Sequence, residues 1–372
     1  MTKKSVIIIS LLFYFSYSFS QQKDTIYGKV KSVREQLSFL DKNHQNMKLF
    51  SNEGDYGHHG FSNAKFTKDR FHSWWYKTPF VHYSNYYKEF NEKGKPTNEV
   101  WFYKDGDTVT TYKYKYDKKD NLIQIKDIYE IDDYTSRNFT YNYKNKISSS
   151  IYYASYDPNL YSYTAYVYDS ISNLIKIKRF DEDGERSSWK YKYDKKGRKI
   201  AEIVHKPYVY IKKGRTTSSK RDSIGLNKVS VKYYYDSNDN LLETEHYDYS
   251  SYDNLPSKLS RKIQNIYKND LLEKVLYITD TINSFTEYSY DNQKRKTSEV
   301  ITFIKYTDSN RSSEYFYNKK GNIKKLIYTE KNKPVIVDFE YYFDNQNNWI
   351  KQIKSVNGKK LFVWTREINY YD

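Results

Sequence analysis

Tyr191-Lys192-Tyr193-Asp194-Lys195-Lys196-Gly197-Arg198-Lys199-Ile200 reads as the bend of a β-hairpin. Tyrosines at alternate positions share one face of a strand, because strand side chains alternate with period two. The aspartate can hold the backbone of the turn, Gly197 supplies the positive φ that the fourth turn position asks for, and Lys199-Ile200 opens the returning strand. Outward from this stretch the pattern recurs along the chain: Tyr114-x-Tyr116-Asp117, Tyr166-x-Tyr168-Asp169, Tyr233-x-Tyr235-Asp236, Tyr288-x-Tyr290-Asp291, Tyr315-x-Tyr317-Asn318 with Gly321, and Tyr341-x-Phe343-Asp344. Weaker copies are Phe90-Asn91, Tyr141-Asn-Tyr143 and Tyr267-Lys268-Asn269.

With anchors at 90, 116, 143, 168, 193, 235, 267, 290, 317 and 343, six of the nine gaps measure 25 to 27 residues. A tandem array with a period of about 26 follows. Gly94, Gly197, Gly321, Asp120, Asp239 and Asn347 suit the left-handed turn position, whereas Ser172 and Lys294 depart from it and predict less well formed turns. A unit of this size cannot bury its own face, so neighbours must stack. The expected fold is all-β: tandem antiparallel β-hairpins forming one elongated, twisted, open sheet of about twenty strands.

Composition agrees with strands. Of 372 residues 45 are Tyr, while Ala, the best helix former, occurs four times, at 64, 154, 165 and 201. That balance argues against a Rossmann-type or helical enzyme. Lys3-Lys4, the apolar run from Val6 to Phe15 and Ser18-Phe19-Ser20 form a signal peptide over residues 1–20, with cleavage expected after Ser20 and a periplasmic or secreted product. The run is short for a membrane span and no second one follows, so no transmembrane segment is expected. There is no cysteine, hence neither a disulfide nor a lipidated cysteine. The formal charge of +17 is carried largely by Lys spread along the strands rather than by Arg forks, which argues for solvated faces and against nucleic acid as a partner.

The Y-x-Y-D-x-x-G-[NR]-x-[IL] pattern over roughly residues 86 to 372, and the closing segment Phe343-Asp344-Asn345 to Tyr370-Tyr371, resemble small exported YD/RHS-like repeat proteins of Bacteroidetes type. The resemblance implies contact with carbohydrate or the cell surface. The large RHS proteins wind such repeats into a shell around a toxin and carry a D-P-x-G element, which Asp157-Pro158-Asn159 does not reproduce.

Residues 21–85 comprise a first strand and an irregular excursion that breaks the repeat, and the 86–372 array carries insertions near 205–230 and 248–262. The excursion holds Gly54, Gly57, Gly60 and five of the seven histidines. Trp74 and Trp75, with His58, His59, His72 and His82, are the candidate ligand-binding residues, offering flat stacking surface and polar edges; a packed structural excursion is the competing reading. Their spacing matches no metal motif, so neither a metal nor a cofactor is expected. No serine-nucleophile elbow, zinc-peptidase helix motif, phosphate-binding loop or cysteine nucleophile occurs. Asp236, Asn238 and Asn240 imitate the start of a calcium loop, but Leu241 stands at its glycine and Tyr247 at its glutamate, so a plain turn is expected. Function is read as a non-catalytic binding or scaffold module at the cell envelope, for a glycan or an envelope protein; the alternative is an enzyme or a toxin-associated RHS-like factor.

Overall fold

The computed structural model describes residues 26–40, 71–72, 85–102, 106–130, 132–157, 161–182, 184–213, 216–248, 257–330 and 333–372, with the side chains of Phe39, Glu330 and 206–226 left undescribed. The signal peptide and cleavage site lie outside these residues, as do His58, His59, Trp74, Trp75 and His82.

Twenty-two strands follow one another in chain order, from β1 (Val30–Phe39), β2 (Asn85–Phe90), β3 (Pro96–Phe102), β4 (Thr108–Tyr116) and β5 (Leu122–Ile128) through the hairpins of the repeat to β19 (Ile323–Glu330), β20 (Lys333–Phe343), β21 (Trp349–Val356) and β22 (Lys359–Tyr370). Helical backbone among the described residues is limited to one turn of 3-10 helix, Thr307–Ser309, and Phe71. Each strand pairs antiparallel with the next, and β1 pairs antiparallel with both β2 and β22. An even number of strands permits this antiparallel closure, and the result is a closed up-and-down barrel.

The open sheet expected from the repeat is therefore corrected: its two edges meet. Nearly every repeat turn is a tight loop ending in a left-handed residue and a bulge, with a register shift at the same place in successive hairpins, as at Lys115/Tyr116, Lys192/Tyr193 and Phe316/Tyr317. Bulges at one end of each hairpin bend the sheet in the same sense every time, and the bend adds up around the ring. Closure then pairs every backbone edge that an open sheet would leave exposed.

Turn chemistry is uniform even where the sequence departs from it. In the 194 copy the Gly197 amide donates to the Asp194 carbonyl (3.0 Å), while Asp194 Oδ1 accepts from the amides of Lys196 and Arg198. Ser172 (φ 75°) and Lys294 (φ 61°) adopt the same left-handed backbone and donate to the carbonyls of Asp169 and Asp291 at 3.1 and 2.9 Å. Those turns are fully formed, contrary to expectation; their cost is backbone strain, not distortion. Asp236 likewise spends its carboxylate on the amides of Asn238 and Asn240 and on Asn240 Nδ2, as a turn. The anchor placed at Tyr143 is corrected to Tyr141: Asn142 opens that turn, and Tyr143 stands in it, 92% exposed.

The second tyrosine of the pattern ties each hairpin to the previous one. Its hydroxyl donates to the carbonyl at the start of the preceding return strand: Tyr116 to Pro96, Tyr141 to Leu122, Tyr168 to Ile147, Tyr193 to Leu174, Tyr235 to Lys199 and Tyr317 to Lys296, at 2.6 to 3.0 Å. In the last copy Phe343 has no hydroxyl, and Tyr341 reaches the Ile323 carbonyl at 2.8 Å instead.

Candidate functional site: inner wall and open rim

Register sorts every strand residue onto one of two faces. The tyrosine stripe pairs through Tyr112 with Glu99, Tyr166 with Ile177, Ile177 with Trp189, Tyr288 with Glu299, Tyr315 with Leu326 and Leu326 with Val337. The opposite face pairs Lys113 with Lys126, Lys176 with Lys190, Lys232 with Glu245, Glu245 with Lys262, Lys274 with Glu287 and Tyr342 with Lys351. On the first face Leu326, Val337 and Phe339 are buried, while on the second Phe316, Ile336 and Tyr342 stay exposed. Side chains converge on the concave side of a cylinder and splay on the convex side, so the tyrosine face is the inner wall and the lysine face the outer.

The outer wall is charged and self-paired. Lys262 bridges Glu243 and Glu245 at 3.1 and 2.9 Å. Burial works against the charge on Glu245, yet hydrogen bonds from Tyr247, Lys262 and Tyr234 hold its carboxyl down at about 2. The inner wall carries charges too, several of them laid against phenol rings. Lys199 bonds Glu202 and sits 5.4 and 4.8 Å from the rings of Tyr191 and Tyr233; Lys296 repeats this with Glu299, Tyr288 and Tyr315. Glu99 takes the same place, accepting from Tyr114 Oη and Trp101 Nε1 and pairing with Lys88.

The most enclosed part of the inner wall lies on β1 and β19–β22. Phe71 is fully buried there, its ring 5.3 Å from Trp364 and 5.9 Å from Phe339. His72, one of the six candidate ligand residues, makes a hydrogen bond between Nε2 and Gln352 Oε1 (2.8 Å) and stacks on Tyr341. Its ring is thus engaged with the wall. Beneath them the Lys354 ammonium is withdrawn from water among Phe71, Phe339 and Phe362, and burial lowers its pKa to about 7. Beside it Arg366 grips Glu35 through Nε and Nη2, both at 2.7 Å, while Trp364 Nε1 donates to Glu35 and Trp349 lies flat under the guanidinium. Sequence reading missed this cluster. Phe71 stands between the polar runs 67–70 and 72–73, and no helix or strand periodicity marks it.

The two rims differ. Antiparallel alternation puts all the repeat turns and both ends of the described chain at one rim, where neighbouring turns interlock: Lys93 with Asp120 (2.7 Å), Asn121 with Asn145 (2.7 Å), Arg198 with Asp239 (2.8 Å) and Lys320 with Asn347 (3.0 Å). The other rim receives the end of β1 and the start of β2, the long hairpin of β11 (Lys199–Lys213) and β12 (Thr216–Tyr235), and the connection from β13 (Leu241–Asp248) to β14 (Lys258–Lys268). All three interruptions of the repeat open there. Among the described residues no three His, Asp or Glu side chains gather as a metal site.

The fold and wall define a closed, tyrosine-lined β-barrel. No family model matches the chain, and no curated protein matches it. Among solved structures, one of TcdB2-TccC3 without its hypervariable C-terminal region aligns with 73% of this chain at 9% identity and a TM-score of 0.33; the chain spans only 17% of that structure's length. A porin-like protein from Bacteroides uniformis aligns over 92% of this chain and 99% of its own at 10% identity and a TM-score of 0.28, and one from Bacteroides vulgatus over 67% and 97% at 12% and 0.21. The expected membership of the YD/RHS-like family is corrected: the array closes on itself as a 22-stranded ring, and no family model covers it.

Proposed function

We propose that this chain is an exported, non-catalytic binding barrel of the cell envelope, surrounded by water, whose inner tyrosine wall takes carbohydrate. The observation that carries the reading is the division of the two faces. Phenol rings with a hydroxyl at the edge supply both the flat apolar surface and the hydrogen bonds that sugar rings use. A barrel mouth with irregular connections at one rim is a customary place for a ligand.

The outer wall supports a position in water. A lipid-spanning barrel needs an outward apolar band about 25 Å tall, and each Lys facing the bilayer midplane costs about 2–4 kcal/mol. Here Lys113, Lys126, Lys176, Lys190, Glu245, Lys262, Lys274 and Lys351 interrupt the outer face on strand after strand. Glu99, Glu202, Glu299 and Arg366 interrupt the inner one, so neither wall offers lipid a continuous apolar belt.

Two measurements test the proposal. In cloud-point partitioning with a non-ionic detergent the mature chain should stay in the aqueous phase; recovery in the detergent phase would show an embedded barrel. On a glycan array it should retain a restricted set of sugars with quenching of tyrosine fluorescence, and turnover of a bound sugar would replace the binding function with an enzymatic one.

A further inference from the structure

β11 and β12 continue beyond the ring. β10 (Gly184–Tyr193) pairs with β11 only from Lys199 to His205, and β13 pairs with β12 only from Val231 to Tyr235, yet β11 and β12 pair with each other out to Lys213 opposite Thr216. Residues 206–213 and 216–226 therefore form a two-stranded ribbon, broken by a register shift between Lys206 and Tyr208 that leaves residues 222–225 without a partner in the ladder, with no described strand on either side, standing on the rim where the repeat is interrupted. At about 3.3 Å per residue it reaches roughly 25 Å past the wall. An isolated hairpin is marginal in water, so a ribbon of this length gains from a partner.

We propose that this ribbon is a docking arm for a linear anionic polysaccharide, a site separate from the inner wall and independent of what that wall binds. Its described residues include Lys206, Lys212, Lys213, Lys220 and Arg221 against one acid, Asp222. Register spreads these cations along the ribbon instead of gathering them: Lys206 stands opposite Leu226 at the base, Tyr208 opposite Arg221 and Val209 opposite Lys220 in the middle, Lys212 and Lys213 opposite Thr217 and Thr216 at the far end. Tyr208 and Tyr210 occupy alternate positions on one strand, with Arg221 at the register position across from Tyr208. A row of cations with aromatic positions between them matches a polymer that repeats its charge along its length. The far end, Lys212, Lys213, Thr216, Thr217, Ser218 and Ser219, is polar, the reverse of what a hairpin entering lipid would carry.

The test uses the whole mature chain with polygalacturonate as the anionic probe and dextran as the neutral one, followed by calorimetry at two salt concentrations. Polygalacturonate should bind, more weakly in high salt, and dextran should not bind at this site. Replacing Lys206, Lys212, Lys213, Lys220 and Arg221 together by Gln should weaken binding about tenfold or more with unchanged thermal melting. As a charge-matched control, Lys113, Lys115, Lys126, Lys190 and Lys192 of the outer wall are replaced by Gln, and that variant should bind as the parent does. Equal loss in the two variants would reduce the effect to net charge and overturn the arm. So would failure of the parent to bind polygalacturonate, dextran binding that the arm variant abolishes, or arm-dependent binding only to phosphatidylglycerol vesicles.

Discussion

Glu35 and Arg366 face each other across the strands that close the ring, with side chains only 2% exposed and two guanidinium contacts of 2.7 Å. Such a pair contributes little against an apolar replacement, but losing one partner leaves a buried charge alone, at a cost of about 3–5 kcal/mol. Glu35→Gln should therefore lower urea stability by that order, while the double change Glu35→Gln with Arg366→Met should recover part of it. Lys354, close by, makes stability depend on pH. Its folded pKa near 7 lies below the ordinary 10.5, so between those values the unfolded chain holds more protons and stability rises with pH. Below 7 both states are charged and the cost of burying the ammonium is complete; above 10.5 it is gone. Urea melts from pH 7 to 10 should show the rise, and Lys354→Met should flatten it; an unchanged slope would mean that the ammonium is not desolvated in solution.

At the scale of elements the hairpin turn decides most. Asp120, Ser172, Asp239, Lys294 and Asn347 all hold φ between 60° and 75°, the region that suits Gly197 and Gly321 without strain. Lys294→Gly should raise stability by about 0.5–1 kcal/mol, because relief of the left-handed strain outweighs the added freedom of the unfolded chain. Gly197→Ala should do the opposite; thermal melting of the two variants checks both signs. The elements were legible because their causes are local. Alternating tyrosines, an Asx residue and a left-handed position act within ten residues, so nearly every repeat hairpin in the sequence is a hairpin in the structure. The slip at Tyr143 has a local cause too: Tyr141 and Tyr143 both flank Asn142, and only the turn hydrogen bonds of Asn142 show which tyrosine lies on the strand.

For the whole molecule the decisive contact is the seam. Val33 stands opposite Ile368 and Leu37 opposite Trp364, and Asn348 holds the entering chain through the Tyr27 amide and carbonyl at 2.7 and 2.9 Å. Gly28 is needed beside it: its φ is 93°, and a Cβ there would lie 2.8 Å from Gln346 and 2.9 Å from the Tyr370 ring. A chain lacking residues 21–40 loses β1 and leaves β2 and β22 as bare edges. It should keep its strand signal in circular dichroism but self-associate in sedimentation and melt without a sharp transition. A monomer with parental melting would show that closure adds nothing.

The amino-acid sequence by itself determined the strand content, the period, the place of nearly every turn and the division of the strands into a tyrosine and a lysine face, since all of these follow from side chains at most a few positions apart. Tertiary structure alone decided that the ring closes, that the tyrosine face turns inward, and that Phe71 and His72 lie on the wall of β20–β22. Closure rests on pairs more than 300 residues apart and on a small bend at each bulge, summed over 22 strands. One hairpin holds too little of that bend for the open and closed outcomes to be told apart, and the period is the same in both. The ring appears only when the last strand meets the first.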